Sequence, residues 1–522
     1  MNSRVVSVAI LVIVLLFTVQ TAFATNGMNM IGYGARMSAM GGASFAMNND
    51  THLMNTNPAG ISTITGQQLD LSLGLLMPSV HFENELNNLD ADSETFPLPS
   101  FGYVYNQADS KFAFGIGFYA QGGMGATYND VKHDIFCASD GNPTTQDDHV
   151  GQEYHSNIGY MKLAPTVAYQ FTPDFSIGFA LNFGYAQMEM QMPYSLPPSA
   201  MLGEVPGGNG MTFGDMFGAP MEQGGLDFDE VTAYADMDDA VTATGWGGKL
   251  GIQYKVTDKL RVGASYTMKS TLDFSGEAGM DMTAQFNNAY ERMVMGALVQ
   301  MSQDGVVQDP MNPTEQELQM AQQGVMQQLS DMGIDMSLGM KAMYDVDIDF
   351  SWPQEFGFGV AYAPNDRLII ATDVHWINWE DTMKEFVMHF SNGDNSNINT
   401  MMGTPDGSMT LEMPMNWDNQ LVVAMGLEFW ATPNLAVRTG FNYAKNPVPA
   451  ETVIPIFPAI VENHLTFGLG YNFNGMFQVD MAYEKVFANE LESNGSTIAN
   501  EYNSCTNELG EDVVHMSGTL RF

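Results

Sequence analysis

The sequence predicts an all-β fold: a fourteen-stranded antiparallel transmembrane β-barrel with an N-terminal hatch plugging its lumen and partly helical external loops. Three observations predict it. Bulky apolar residues alternate with small ones at period two along most of the chain. Short turns alternate with long loops, six of the first and seven of the second. Beyond the N-terminus no stretch approaches the roughly 20 apolar residues of a spanning helix, so a membrane location requires a closed barrel.

Composition sets the first limits. The 522 residues carry 18 Lys and Arg against 60 Asp and Glu, a net charge of −42, so the basic footprint that nucleic-acid binding needs is missing. Arg4, the apolar run 5–19 and Ala22-Phe23-Ala24 read as a signal peptide over 1–24, with the mature chain starting near Thr25. In an exported chain the two cysteines, Cys137 and Cys505, read more plainly as one disulfide than as redox chemistry.

Residues 25–65 follow as the expected hatch. They are rich in Gly, Ala, Ser, Asn and Met and keep neither a two-residue nor a helical period, so they would form no core alone. Residues 66–522 form the expected barrel. Phe175, Ile177, Phe179 and Leu181 alternate with Ser176, Gly178 and Ala180; Phe356, Phe358 and Val360 alternate with Gly357 and Gly359; Leu465, Phe467 and Leu469 alternate with Thr466 and Gly468. A soluble sandwich would present charge on its second face. Here that face is small, which suits a filled lumen rather than an open, water-filled porin.

Short turns are expected at 107–110, 172–174, 257–259, 364–366, 432–434 and 472–475. Long polar or acidic loops are expected near 81–97, 121–158, 188–241, 276–346, 381–416, 445–463 and 488–512. The last strand, 514–522, ends on Phe522, with Leu520 and Met516 on the same face. Tyr362, Trp376, Trp379, Trp417 and Trp430 are candidates for interfacial aromatic girdles.

In the fourth long loop, Thr314 and Glu317 form a capping-box pattern, and Leu318, Ala321, Val325, Leu329 and Met332 keep helical spacing. This helix either packs on the barrel rim or, with the methionines around it, offers an apolar landing surface. Asp227, Asp229, Glu230, Asp236, Asp238 and Asp239 lack the spacing of a calcium loop and read as a solvated acidic surface. His133, Cys137, His149 and His155 lack zinc-type spacing. No cofactor, metal or catalytic motif is expected, and the chain does not read as an enzyme.

Gly32-Tyr33-Gly34-Ala35-Arg36, then Ala39-Met40-Gly41-Gly42-Ala43, then Asn57-Pro58-Ala59-Gly60 resemble, in that order, the hatch signature of the FadL/TodX family of outer-membrane transporters. Segments 352–379, 435–449 and 464–487 are similar to the family's paired strands, whereas loops 191–240 and 276–346 match poorly. The resemblance implies a monomeric fourteen-stranded barrel in the bacterial outer membrane, among lipid and lipopolysaccharide. It also implies passive movement of a long-chain fatty acid or hydrocarbon ligand, caught outside and released sideways beside a kinked third strand. Residues 111–128 are that strand, and Gly122, Gly123 and Gly125 are the lateral-opening candidates, since clustered glycines weaken pairing. Arg36, Asn57, Pro58 and Gly60 are the hatch positions. A fatty-acid carboxylate is costly to bury without a basic partner. Alternation through strands six and seven turns Lys249, Arg261 and Lys269 inward as ligand-binding candidates, Lys249 and Lys269 first. Arg438, with Asp373 and Asp480 near it, reads instead as an ion-pair member holding the hatch, together with Arg36.

Overall fold

The computed structural model describes residues 26–138, 142–143 and 148–522; the signal peptide expected over 1–24 lies outside the described residues. Fourteen strands close into a barrel. They are β1 (Gly66–Glu83), β2 (Phe96–Asn106), β3 (Phe112–Val131), β4 (Gln152–Thr172), β5 (Phe175–Leu196) and β6 (Val231–Thr257). Four interrupted strands follow: β7 (Leu260–Thr267 and Ser270–Asp281), β8 (Lys341–Trp352 and Glu355–Asn365), β9 (Leu368–Ile377 and Glu385–Ser391) and β10 (Met409–Pro414 and Gln420–Trp430). The series ends with β11 (Leu435–Tyr443), β12 (Asn463–Asn472), β13 (Phe477–Ser493) and β14 (Cys505–Arg521). β14 returns to β1 in a continuous register from Gln68 opposite Arg521 to Glu83 opposite Thr506. Closure removes the edges that an open sheet would expose, with one exception between β2 and β3.

All six short turns fall where the sequence places them, and all seven long loops lie at the opposite end. Near the short turns the pleat is arranged as expected. Phe114, Phe179, Leu250, Phe356, Leu427 and Phe467 are exposed on the outer face. The facing small residues press on the hatch: a Cβ on Gly178 would strike the Pro58–Ala59 backbone, on Gly263 the Phe45 carbonyl, and on Gly440 the Gly41 amide. The absence of side chains there is what lets a folded segment fit inside.

Toward the long loops the pattern inverts. On β8, Asp345, Asp347 and Asp349 are exposed outside, while Val346, Ile348 and Phe350 are buried inside. On β1, Leu71, Leu73 and Leu75 face out, yet farther along Leu76, Val80 and Phe82 face in. In β7–β10 the interruptions carry the inversion. The lumen-facing residues of β7 are Gly263, Ser265 and Thr267 below the break but Ser270, Leu272 and Phe274 above it, a change from odd to even positions. Residues leaving the ladder shift which parity faces which side.

This inversion corrects several expectations. Lys269 falls in the β7 break, points outward and pairs with Asp381 at 2.9 Å, so it faces no lumen. Trp379 and Trp417 are fully buried inside the barrel rather than girdling it. Segment 445–463 is no polar surface loop: Val453, Ile454, Ile456, Ile460 and Val461 are buried, and the segment dips into the lumen. Ser156 Oγ donates to the Ile456 carbonyl at 2.5 Å, and Asn489 Nδ2 to that of Ile460 at 2.7 Å. No disulfide joins the cysteines. The Cys137 thiol donates to the Asp134 carbonyl, whereas Cys505 sulfur accepts from Asn507 Nδ2.

Among the external segments, the helix Glu315–Asp331 starts at Thr314 with the capping box in place and buries Ala321, Val325 and Leu329. It packs against a second helix, Thr283–Gln303, which starts without a side-chain cap and which the sequence reading missed.

Candidate functional site

The hatch is fixed at its base by a buried ionic chain. Arg36 binds Glu428 through Nε and Nη2 at 2.9 and 3.1 Å, and donates from Nη1 to the Asn48 carbonyl at 2.7 Å. Arg438 reaches the same Glu428 through Nε and Asp480 through Nη1, each at 2.7 Å. Asp373 instead accepts the backbone amides of Ser44 and Phe45 at 2.5 and 2.9 Å. Asn57 donates to the carbonyls of Phe45 and Ile252 at 2.6 and 2.9 Å and caps the turn Pro58–Thr63, which contains Gly60. Arg261 lies lower still, on a cavity of about 110 Å³ at the short-turn end, beneath the hatch and away from any ligand path from above.

Above the hatch is a chamber of sulfur and rings. Tyr160, Trp352, Trp379 and Trp417 form a ladder with centroids 4.8, 6.1 and 5.5 Å apart. Trp352 Nε1 donates to Asn29 Oδ1 at 2.7 Å and Trp379 Nε1 to Gln420 Oε1 at 3.0 Å, whereas the Trp417 indole N–H has no partner among the described residues. Met28, Met188, Met383, Met413 and Met415, with Phe386 and Phe457, surround a gap of only about 10 Å³. That is about the room one water needs, so a ligand enters by displacing side chains. Methionine suits this, being unbranched, apolar and polarisable.

At the chamber floor the polar groups gather. Lys249, 4% exposed, donates to the Asn55 carbonyl at 2.5 Å. Lys162 on β4 is 3% exposed and makes no hydrogen bond or ion pair among the described residues; Lys249 and Glu355 are the charges that act on it. Glu355 accepts from Asn29 Nδ2 at 2.7 Å. The sequence reading missed Lys162, although it shares the inner face of β4 with Tyr160 and Ala164, opposite Met161 and Leu163.

The exceptional seam lies beside this floor. β2 and β3 pair only from Ser100–Tyr119 to Tyr105–Phe114. From Ala120 onward β3 leaves β2, is buried as far as Ala126, and steps one residue against β4 at Ala120–Gly122. The hatch takes up the freed edge: Gly122 bridges to Asn29, and the Gly123 amide donates to the Met28 carbonyl at 3.2 Å. Higher up, Asp92 N donates to the Thr127 carbonyl at 2.8 Å, closing the seam again. The wall therefore lacks strand pairing between 96–99 of β2 and 120–126 of β3, which makes this hatch-covered seam the candidate window, with Gly122, Gly123 and Gly125 on its β3 side. A Cβ on Gly125 would strike the Ser156 carbonyl, so the residue seats β3 on β4.

The barrel these strands build matches a known group. The family model described as outer membrane protein transport protein (OMPP1/FadL/TodX) matches residues 11–514. The chain belongs to that family. Among solved structures it is similar to the toluene transporter TodX of Pseudomonas putida, at 19% identity and a TM-score of 0.64, covering 94% of this chain and 99% of that one. It is also similar to the toluene transporter TbuX of Ralstonia pickettii, at 19% identity and a TM-score of 0.60, covering 95% and 99%. A FadL homologue of Pseudomonas aeruginosa aligns at 16% identity and a TM-score of 0.64, covering 97% and 100%. A curated Chlorobium limicola sequence, described as an uncharacterized protein in a phosphoenolpyruvate carboxykinase gene 5' region, is 37% identical over 65 residues. Those cover 12% of this chain and 32% of that sequence. Membership makes this an outer-membrane transporter of hydrophobic compounds; the family consists of transport channels rather than enzymes.

Proposed function

We propose that this protein carries long-chain fatty acids passively across the outer membrane, taking them from the external loops into the chamber and releasing them through the β2–β3 window. The observation that supports the acid over a neutral compound is Lys162, a buried amine with no hydrogen-bond or ion-pair partner among the described residues. Lys162 and Lys249 oppose the single carboxylate of Glu355, and one ligand carboxylate balances the set. The methylene tail then occupies the methionine and aromatic space above. A buried charge of either sign is stabilised only by a close opposite charge with good hydrogen bonding. Lateral release keeps the tail in apolar surroundings, avoiding about 0.8 kcal/mol per rehydrated CH₂. Uptake of a long-chain fatty acid should fall in cells lacking the protein and return on re-expression; unchanged uptake would rule the assignment out.

One observation favours a second reading, uptake of aromatic hydrocarbons. The ring ladder offers stacking partners from Trp417 down to Tyr160, and offset or edge-on ring pairs add about 0.5–1.5 kcal/mol each. Two of the similar structures are toluene transporters. Competition between a fatty acid and toluene for uptake separates the readings, since preference for toluene would reverse their order.

A further inference from the structure

At the junction of hatch and wall, away from the chamber, three metal-ligating side chains converge. Asp50 and His52 come from the hatch and Asp70 from β1; all three are buried, with one ligand atom from each within 4.8 Å of the others. His52 Nδ1 lies 3.0 Å from Asp50 Oδ1, and His52 Nε2 lies 3.1 Å from Ser100 Oγ. Asp70 Oδ2 accepts from the amide and hydroxyl of Thr51 at 2.9 and 2.7 Å and from Gln68 Nε2 at 2.9 Å.

Two buried carboxylates beside one imidazole leave negative charge in a site closed to water, which is unfavourable without a compensating cation. The nearby guanidinium of Arg36 is already engaged by Glu428 and the Asn48 carbonyl. The His52 ring carries the outer partner typical of a ligating histidine: a hydrogen bond at one nitrogen orients the other toward the metal. Ser100 supplies that bond at Nε2 and turns Nδ1 toward the carboxylates. Hydrogen bonds to Asp70 likewise hold its oxygens in place.

We propose that Asp50, His52 and Asp70 bind one divalent transition-metal ion of the zinc type, which pins the hatch to β1. Mixed imidazole and carboxylate donors fit zinc. The ion neutralises the carboxylate pair and joins two segments that must stay together for the lumen to remain plugged.

The test uses the full-length detergent-solubilised protein, stripped with a chelator. It is then dialysed against zinc chloride with excess magnesium, which occupies the acidic external loops. After gel filtration, about one zinc per wild-type chain is expected by elemental analysis. His52→Gln and Asp70→Asn should retain less than a tenth of that, while a His133→Gln, His149→Gln double variant should keep it. Retention by both site variants, or none by wild type, overturns the proposal. Should the variants fail to insert, hydrogen exchange on wild type decides: zinc should slow the amides of residues 50–52, and slowing confined to the external loops refutes the site.

Discussion

Replacing Lys162 by methionine separates the two ligand readings most cleanly. The thioether has nearly the length of the lysine stem, and no hydrogen bond is lost in the unliganded protein, because the Lys162 amine makes none among the described residues. Lys249 is a poorer choice, since its bond to the Asn55 carbonyl also holds the hatch. A hydrogen bond to a charged group contributes about 1.5–3 kcal/mol, and about 1.4 kcal/mol is tenfold in affinity. Lys162→Met should therefore weaken binding of a long-chain fatty acid roughly 10- to 150-fold. The methyl ester of the same acid has the same tail and no charge, so its affinity should change less than about threefold, under 0.7 kcal/mol. The buried indoles of Trp352, Trp379 and Trp417 line the chamber and report either ligand by fluorescence titration. Equal loss for acid and ester, or no loss for either, would refute a carboxylate at Lys162.

Asn29→Ala removes the bonds to Glu355 and Trp352, worth about 0.5–1.5 kcal/mol each or more where charged. The Gly123 amide should then exchange roughly ten- to a hundredfold faster, and unchanged exchange would mean that the hatch tip does not hold the window. Arg438→Met strands Asp480 in the lumen and leaves Glu428 to Arg36, for an expected loss of about 3–5 kcal/mol in urea unfolding of the reconstituted barrel; a loss below about 1 kcal/mol would show the base to be hydrated. In the last external turn Glu501 is buried, accepts from Tyr154 Oη at 2.6 Å and lies 3.9 Å from His133 Nε2. Burial raises its pKa from the ordinary 4.5, against the lowering effect of His133 and the Tyr154 bond; Asp134 raises it further, and neighbouring Glu230 accepts the Asn500 amide. The folded turn thus holds a proton that the unfolded chain has lost, so its stability is full below pH 4.5 and declines as pH rises through the elevated value. Proteolysis of 493–505 should accelerate over that rise in wild type and stay flat in Glu501→Gln.

Much of this molecule is legible from its sequence because barrel walls obey a two-residue period and turns punctuate it. The strand number, the turn positions and the capped helix after Thr314 follow from those rules alone. What escaped is what breaks the period. The extra residues at 268–269, 353–354, 378–384 and 415–419 exchange inside for outside in β7–β10; Pro353 and the polar residues of 378–384 and 415–419 mark three of these breaks, but not how many residues leave the ladder. Alternation sent Lys269 inward, and position beside the strand ends made Trp379 and Trp417 girdle candidates. Other misses had a signal. The run Val453–Val461 is apolar between prolines, which marks a buried segment rather than a solvated loop. Lys162 and Glu428 are lone charges on small-residue faces, readable by the same alternation that located Arg438.

The inversion of the wall bears directly on the proposed route. A ligand held by apolar surface moves most easily where such surface is continuous, and on most of the barrel it is not. The apolar face near the short turns looks into lipid, the one near the long loops looks into the lumen, and a closed sheet separates them. At β1 the exchange occurs between Leu75, which is exposed outside, and Leu76, which is buried inside. These residues pair with Pro97 and Phe96 of β2, the strand that stops pairing with β3 at this height. Pro97 and Pro99 have no amide hydrogen with which to recruit a new neighbour, so the seam depends on the hatch for closure. Inner and outer apolar faces thus meet at the window. Straight passage along the barrel axis would instead take the ligand through the Arg36–Glu428–Arg438–Asp480 chain, where burial of a methylene tail would strip partners from charged groups.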